Sequence, residues 1–341
     1  LCAAPAAATI WVVDPAGPIT VIQQAVEAAQ PGDVVRVRPG TYHERLTLRD
    51  GVSIVAETQG SVTVDAESEG SVVTAVGAGP TTLVTGIWFR NGSALAGGGL
   101  YALAASPIFV DCSFESNSAI LGGGAYLRDA SRVDFVRCIF ADNEASAGGG
   151  MYLDFSQASI TSSYVHSNEA LDGSAISANN AAEAEFSHTL IYANRAQEGA
   201  TVAVNDASPR FINCTVAANF GGRETFGTRS SGSHVELCVV AFNQAPAFGC
   251  SGSNALWVDC TLLYRNGGSD AICSGDRGTN INADPLFCDR AHYDFGLAAN
   301  SPAAGGTCDQ MGALPVSCPA QGVASALAPR TWSDVKRLYG R

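Results

Sequence analysis

Apolar positions in the middle of this chain recur neither every 3.6 residues nor every second residue, but at intervals near 25. One column runs Phe109, Phe135, Ile160, Phe186, Phe211, Val235 and Val258. A second follows five residues later as Phe114, Phe140, Val165, Ile191, Val216, Val240 and Leu263. Three residues after each of these stands an asparagine, giving Asn117, Asn143, Asn168, Asn194, Asn219, Asn243 and Asn266, with Asn91 as a first member. The gaps between the eight asparagines are 26, 26, 25, 26, 25, 24 and 23 residues. Self-similarity at such a period marks a solenoid, in which each repeat is one coil stacked on the next.

The positions between the columns predict how a coil bends. Five residues before the asparagines stand Cys112, Cys138, Ser163, Thr189, Cys214, Cys238 and Thr261, with Gly86 in the first unit. They share parity with the positions three before, so both sets face one side of a strand and line the interior. Six before, Asp111, Arg137, Ser162, His188 and Asn213 are mixed and polar, as a solvent position is. That column shares parity with the apolar one eight before, so the strand must bend or begin between them. The triplets Gly97–Gly99, Gly122–Gly124 and Gly148–Gly150 precede Tyr101, Tyr126 and Tyr152 and predict a tight corner. A coil this short has no room for a helix-containing crossover. Parallel strands spaced about 4.8 Å apart, in roughly ten coils, predict a rod about 50 Å long.

An inward asparagine carries both a donor and an acceptor, so a stacked column of them predicts an amide ladder. Cys112 over Cys138, and Cys214 over Cys238, fit either disulfides or buried thiols. Cys250 and Cys273 form a further stacked candidate.

Residues 20–30 predict a helix that covers the first coils. Thr20 and Gln23 read as a capping box, and Val21, Ala25, Val26 and Ala29 as the apolar face. The turn-rich stretch from 280 to 318 is expected to close the far end. The chain divides into a tail (1–19), a capped β-helix (20–318), a linker (319–330) and an amphipathic tail (331–341). The opening residues resemble the end of a signal peptide, with Ala6 and Ala8 as its small residues. If that segment is retained, Cys2 is the odd cysteine.

Composition narrows the partners. The net charge is −13 and Lys336 is the one lysine, which argues against nucleic acid and against a broad basic groove. No run of 18 apolar residues occurs, so no membrane span is expected. Eleven cysteines without a CxxC pair read as an oxidised chain, secreted or at the cell surface. No metal or cofactor site is legible.

Three segments carry a family resemblance: Ile22-Gln23 with Ala25-Val26, then Pro31-Gly32-Asp33, then Gly40-Thr41-Tyr42-His43-Glu44. Asp284-Pro285-Leu286-Phe287-Cys288, Ser301-Pro302 and Met311-Gly312-Ala313 add to it. Together they resemble secreted bacterial right-handed parallel β-helix repeat proteins of the pectin lyase-like superfamily. The opening also resembles the first signature of pectin methylesterases. The resemblance spans Ile22 to Cys318 and implies an all-β solenoid with an N-terminal capping helix. It says little about activity, because such folds host lyases, hydrolases, esterases, adhesins and structural proteins.

The methylesterase aspartate motif and the paired aspartates of galacturonidases are missing. Arg128, Asp129, Arg132 and Asp134 form the nearest match to a lyase cluster, and His166, His188 and Asp172 a weaker group. The chain therefore reads first as a structural surface protein that self-associates through Cys2, Trp11, Trp332 and Tyr339, and as a non-enzyme before an enzyme. The alternatives are a polysaccharide lyase or other carbohydrate-active β-helix enzyme, and a non-catalytic glycan-binding protein. The last needs Tyr101, Tyr126 and Tyr152 to face outward; core or corner packing is the expectation for them.

Overall fold

In the computed structural model, which describes residues 8–253, 256–273 and 275–321, the repeats close into a parallel β-helix. One coil runs through strands Ile108–Val110, Ser113–Glu115, Ser118–Leu121 and Ala125–Arg128. Each strand pairs in parallel with its equivalent one coil away. Four sheets result, here sheets I to IV in the order of those strands, with eleven, ten, six and nine members.

The polar column six before the asparagines makes the first bend. Asp111, Arg137, Ser162, His188 and Asn213 all hold left-handed backbone, with φ between 49° and 54°. One left-handed residue turns sheet I into sheet II, which is why the two inward columns can sit at opposite parity. A second left-handed residue, such as Ser116 or Asp142, precedes each asparagine. Glycine supplies the third corner. Gly97, Gly122 and Gly148 have φ of 63°, 67° and 68°, and a Cβ on Gly99 would lie 2.4 Å from the Gly124 carbonyl.

The interior is built from like on like. Phe109 lies 5.5 Å from Phe135 and Phe114 5.0 Å from Phe140, both stacked, while Phe135 meets Phe140 edge-on at 5.1 Å. All four are fully buried. Cys112, Cys138, Cys214 and Cys238 are buried free thiols. Burial, with Cys112 alongside, pushes the Cys138 thiol well above its usual range.

The asparagine ladder forms as expected from Asn117 to Asn266. Asn143 Oδ1 accepts from the backbone N and Nδ2 of Asn117 at 3.0 and 3.1 Å. Its own Nδ2 donates to Phe114 O and Asn168 Oδ1, each at 2.9 Å. The last rung is a carboxylate: Asp270 Oδ1 accepts from the N and Nδ2 of Asn266 at 3.0 and 2.7 Å.

Asn91 does not belong to the ladder. Ser93 pairs with Ser118, so Gly92 stands opposite Asn117 and donates its N–H to Asn117 Oδ1 at 2.8 Å. Asn91 takes the left-handed bend position, φ 58°, and binds Asp65 Oδ2 at 2.8 Å. Gly86 shifts likewise to the first bend, and Ile87 fills the place of Cys112.

The N-terminal strand β1 (Ile10–Val13) pairs with β2 (Val34–Val37) as the first strand of sheet I. Helix α1 (Ile22–Ala28) buries Ile22, Ala25 and Val26 in the main core, while Val21 is exposed. The Thr20–Gln23 capping box is absent. Glu44 does that work from a distance, accepting from the backbone N of Ile22 and of Gln23 at 2.8 Å each. A carboxylate at two free helix N–H groups satisfies them and meets the positive end of the helix dipole. Asp33 likewise gathers Thr9 N, Trp11 Nε1 and Gln30 N. The opening segments thus act as clamps for the first coil.

Only the start of the C-terminal stretch covers the last coil, where Ile281 N donates to Thr261 O at 3.0 Å and Asn280 Oδ1 accepts from Thr261 N at 2.9 Å; the remainder leaves the end of the rod. It folds back along the outer face of sheet II, where Phe287, Phe295, Leu297 and Met311 pack on Leu190, Val239 and Leu262. Ala313 N donates to Thr215 Oγ1 at 2.9 Å, across 98 residues of sequence. The outward side chains Leu190, Val239 and Leu262 of the late coils give the returning segment its apolar seat. Disulfides Cys250–Cys273, Cys260–Cys308 and Cys288–Cys318 fasten this region, consistent with an oxidising compartment. Among the described residues no helix is long and apolar enough to cross a membrane.

Two measurements check this packing. Asn143→Ala leaves buried backbone groups unpartnered and should cost about 1–3 kcal/mol, whereas Asn180→Gly, at an exposed left-handed bend, should change stability by less than about 0.5 kcal/mol. Equal denaturant midpoints for the two variants would refute the ladder. Phe135→Ala should cost about 3–5 kcal/mol through lost burial and a cavity, read from the same titration.

Candidate functional site

Outward positions of sheet IV form two columns in register. The first is Tyr101, Tyr126, Tyr152, Ser177, Ala203, Gly227 and Gly249. The tyrosines face outward rather than packing in the core. Their rings stack at 5.8 and 5.5 Å, with Tyr126 covered by its neighbours and Tyr101 and Tyr152 half-buried. Beyond Tyr152 the column falls to small residues, so the aromatic strip ends at a wall over a lowered floor. The second column is Leu103, Arg128, Asp154, Asn179, Asn205 and Arg229. Its polar groups are linked: Asn205 Nδ2 donates to Asn179 Oδ1 at 3.0 Å, and Asn179 Nδ2 to Ser177 Oγ at 2.9 Å. Burial, with Asp154 beside it, pushes the Tyr126 hydroxyl up to about 12, so it stays a donor at neutral pH.

Glu224 lies on the lowered floor. A Cβ on Gly227 would come within 2.8 Å of its Oε1, and one on Gly249 within 2.9 Å of its Cδ. These two glycines make the room the carboxylate occupies. Beside it is a hollow of about 160 Å³ lined by Leu171, Asp172, Glu198, Gly199, Arg223 and Arg229. Asp172 Oδ1 is held by the backbone N of Ala200 at 2.8 Å. Burial raises the Glu224 carboxyl above the usual range; Arg229 and Arg223 oppose the rise and Asp172 adds to it. The hollow and the floor beside it therefore bring together the Glu224 carboxyl, biased toward holding a proton, the acids Asp172 and Glu198, and two guanidinium groups. Such a set can bind hydroxyls and carboxylates. Among the described residues no group of three or more His, Cys, Asp or Glu is placed to hold a metal ion.

The structure divides the cluster legible in the sequence. Arg128 lies on sheet IV, exposed and paired with Asp129 at 3.3 Å. Arg132 and Asp134 lie past a turn on the outer face of sheet I, in a separate hollow. His166 stacks on Tyr192 at 4.8 Å over sheet II, His188 is an exposed bend residue, and Asp172 belongs to the hollow beside sheet IV. Trp11 Nε1 is bound to Asp33 of its own chain at 3.1 Å. Cys2, Trp332 and Tyr339 lie outside the described residues.

Glu224, Arg223 and Arg229 escape a reading by motif. One signal does mark Glu224: it occupies the corner position held in earlier coils by Gly98, Gly123, Gly149, Ser174 and Ala200. A carboxylate in a column of small corner residues departs from the scaffold's own rule.

The raised Glu224 carboxyl has a consequence for stability. Its folded pKa exceeds its unfolded value, near 4.3, so the folded state takes up a proton that the unfolded state releases. Ionised Glu224 therefore weakens the fold at neutral pH, and the penalty fades as pH falls through the raised value. Glu224→Gln should shift the urea midpoint upward at pH 7 and by less at pH 4. A midpoint that drops at pH 7 would contradict this.

No protein-family model and no curated protein sequence matches the chain. Among solved structures, pectate lyase Pel9A superposes with a TM-score of 0.54 at 14% identity, over 91% of this chain and 96% of that one. The Aspergillus niger pectin methylesterase gives 0.43 at 14% identity, over 83% and 92%. The A-module of the Azotobacter vinelandii mannuronan C-5 epimerase AlgE4 gives 0.46 at 12%, over 77% and 95%. At these identities the likeness concerns the fold: the chain has the pectin lyase-like parallel β-helix fold.

Proposed function

We propose that the chain is a carbohydrate-active β-helix protein that binds a linear polysaccharide along the outer face of sheet IV and acts on it beside Glu224 and Asp172. The observation that carries this reading is the step from stacked tyrosines to a small-residue floor, with Glu224 lying on that floor. Tyr152 and the Asn179–Asn205 row would hold successive sugars by ring contact and hydroxyl bonds. Arg223 and Arg229 would hold a carboxylate or polarised oxygen. Glu224, protonated more readily than an ordinary glutamate, would donate or accept the proton, with Asp172 beside it. The fold shared with a protein named as a pectate lyase supports the substrate class, and the disulfides support a secreted location.

Incubation with pectate, alginate and chondroitin tests this, read by ultraviolet absorbance of unsaturated ends and by new reducing ends. Turnover should fall by about 10²–10⁴-fold in Glu224→Gln if the carboxyl carries the proton. Tyr152→Ala should weaken binding with less effect on the rate of bound substrate. Failure of every polysaccharide to bind would sink the reading.

A second reading, self-association, draws on β1. This strand pairs only with β2 among the described residues, and Ile10 and Val12 are 51% and 38% exposed. An open strand edge can accept a neighbour's strand. Light scattering should then show assemblies that disappear on deleting residues 1–13. A monomer at high concentration excludes it.

A further inference from the structure

Sheet I carries a separate groove on its outer face. In register along the rod stand Asp134, Ser159, Glu185, Arg210, His234 and Trp257. Five coil steps make this row about 24 Å long. A hollow of about 530 Å³ lies over its centre, lined by Gln157, Glu183, Glu185, Ser208, Arg210 and His234. A second hollow of about 170 Å³ with Arg132 and Asp134 shares Gln157 and Ala158 with it, so the groove is continuous.

Charge is sorted at the centre of this groove, between the Arg132–Asp134 end and Glu236 beside His234. Glu183 and Glu185 lie on one side of the centre, and Arg210, His234 and Arg277 on the other. Among the described residues the Arg210 guanidinium forms no ion pair. The His234 ring lies 4.7 Å from that of Trp257, and the Arg277 guanidinium lies 4.4 Å over the same indole. Two cations and an imidazole thus converge without a bonded carboxylate. Glu183 accepts from Gln157 Nε2 at 3.0 Å and retains free lone pairs for donors from a ligand.

The complement of this surface is a chain with one oxyanion and a row of neutral hydroxyl donors. Dense negative charge is excluded by Glu183 and Glu185, and by the net charge of −13. We propose that the sheet I groove binds an oligosaccharide bearing a single carboxylate or sulfate, the oxyanion seated on Arg210 and His234 and the hydroxyls on Glu183 and Glu185. This site is independent of the cleft on sheet IV, so one rod can hold two sugar chains on different faces.

Protonation couples to this binding. Burial, then Arg210, hold the His234 imidazole below its ordinary pKa; Arg277 adds to this and Glu236 opposes it, while Trp257 covers the ring. A seated oxyanion favours the charged ring, so affinity should rise as pH falls from 7.5 to 5.5.

Calorimetric titration of the full chain tests the site with four probes: a xylo-oligosaccharide carrying one glucuronate, its uncharged parent, an oligosaccharide carrying one sulfate, and an acidic peptide. The singly charged sugars should bind about tenfold or more tighter than the uncharged parent. Which of them binds better identifies the oxyanion. Arg210→Gln should erase that advantage and His234→Gln its pH dependence, with unchanged melting curves because Arg210 is exposed. Glu224→Gln should leave this binding intact, which separates it from the sheet IV cleft. Equal affinity for charged and uncharged sugars, no binding of any sugar, or tighter binding of the peptide would overturn the proposal.

Discussion

Every coil must lie on the next with its backbone amides in register, and the buried asparagine amide enforces this. Each Oδ1 takes two N–H groups from the preceding coil, and each Nδ2 reaches back to a carbonyl there and forward to the next amide. The groups involved are buried, so an unmade bond has no water to replace it. A slip of one residue would expose the phenylalanine columns and orphan the amides together. The ladder and the aromatic stack therefore select the same alignment, and strands of two to six residues suffice to hold the sheets.

Where the ladder runs out, other devices take over. At the start of the ladder Gly92 supplies only a backbone N–H, and at the first coil Glu44 and Asp33 clamp the helix and first strand. At the last rung Asp270 replaces the amide. The three disulfides among the described residues fall in this final region, where coils shorten and the chain turns back over sheet II. Covalent closure there removes freedom from the unfolded chain in a region where repeated stacking no longer contributes.

A scaffold so repetitive inside leaves its outer surface free to vary. Two faces use that freedom differently. Sheet IV carries aromatic rungs that give way to small residues, which opens space for one half-buried carboxyl. Sheet I carries charges sorted along the rod axis at the centre of its groove. Both depend on side chains from successive coils lying about 4.8 Å apart, a spacing suited to an extended polymer parallel to the rod.

The sequence by itself determined the solenoid, its period, the inward columns and the ladder from Asn117 to Asn266, because a residue that stacks on its own equivalent must resemble it. It also marked the bend: the polar column six before each asparagine is the left-handed residue. It misassigned Asn91, since one residue of difference in the first coil is invisible to spacing, and it placed the helix cap locally when Glu44 supplies it from the next strands. Outward residues obey no such likeness. Whether Arg128 meets Arg132, or Glu224 meets Asp172, depends on which side of a bend each falls and on the register of separate coils. Only the tertiary structure decided those meetings, because the contacts join positions dozens of residues apart through backbone pairing rather than through any motif.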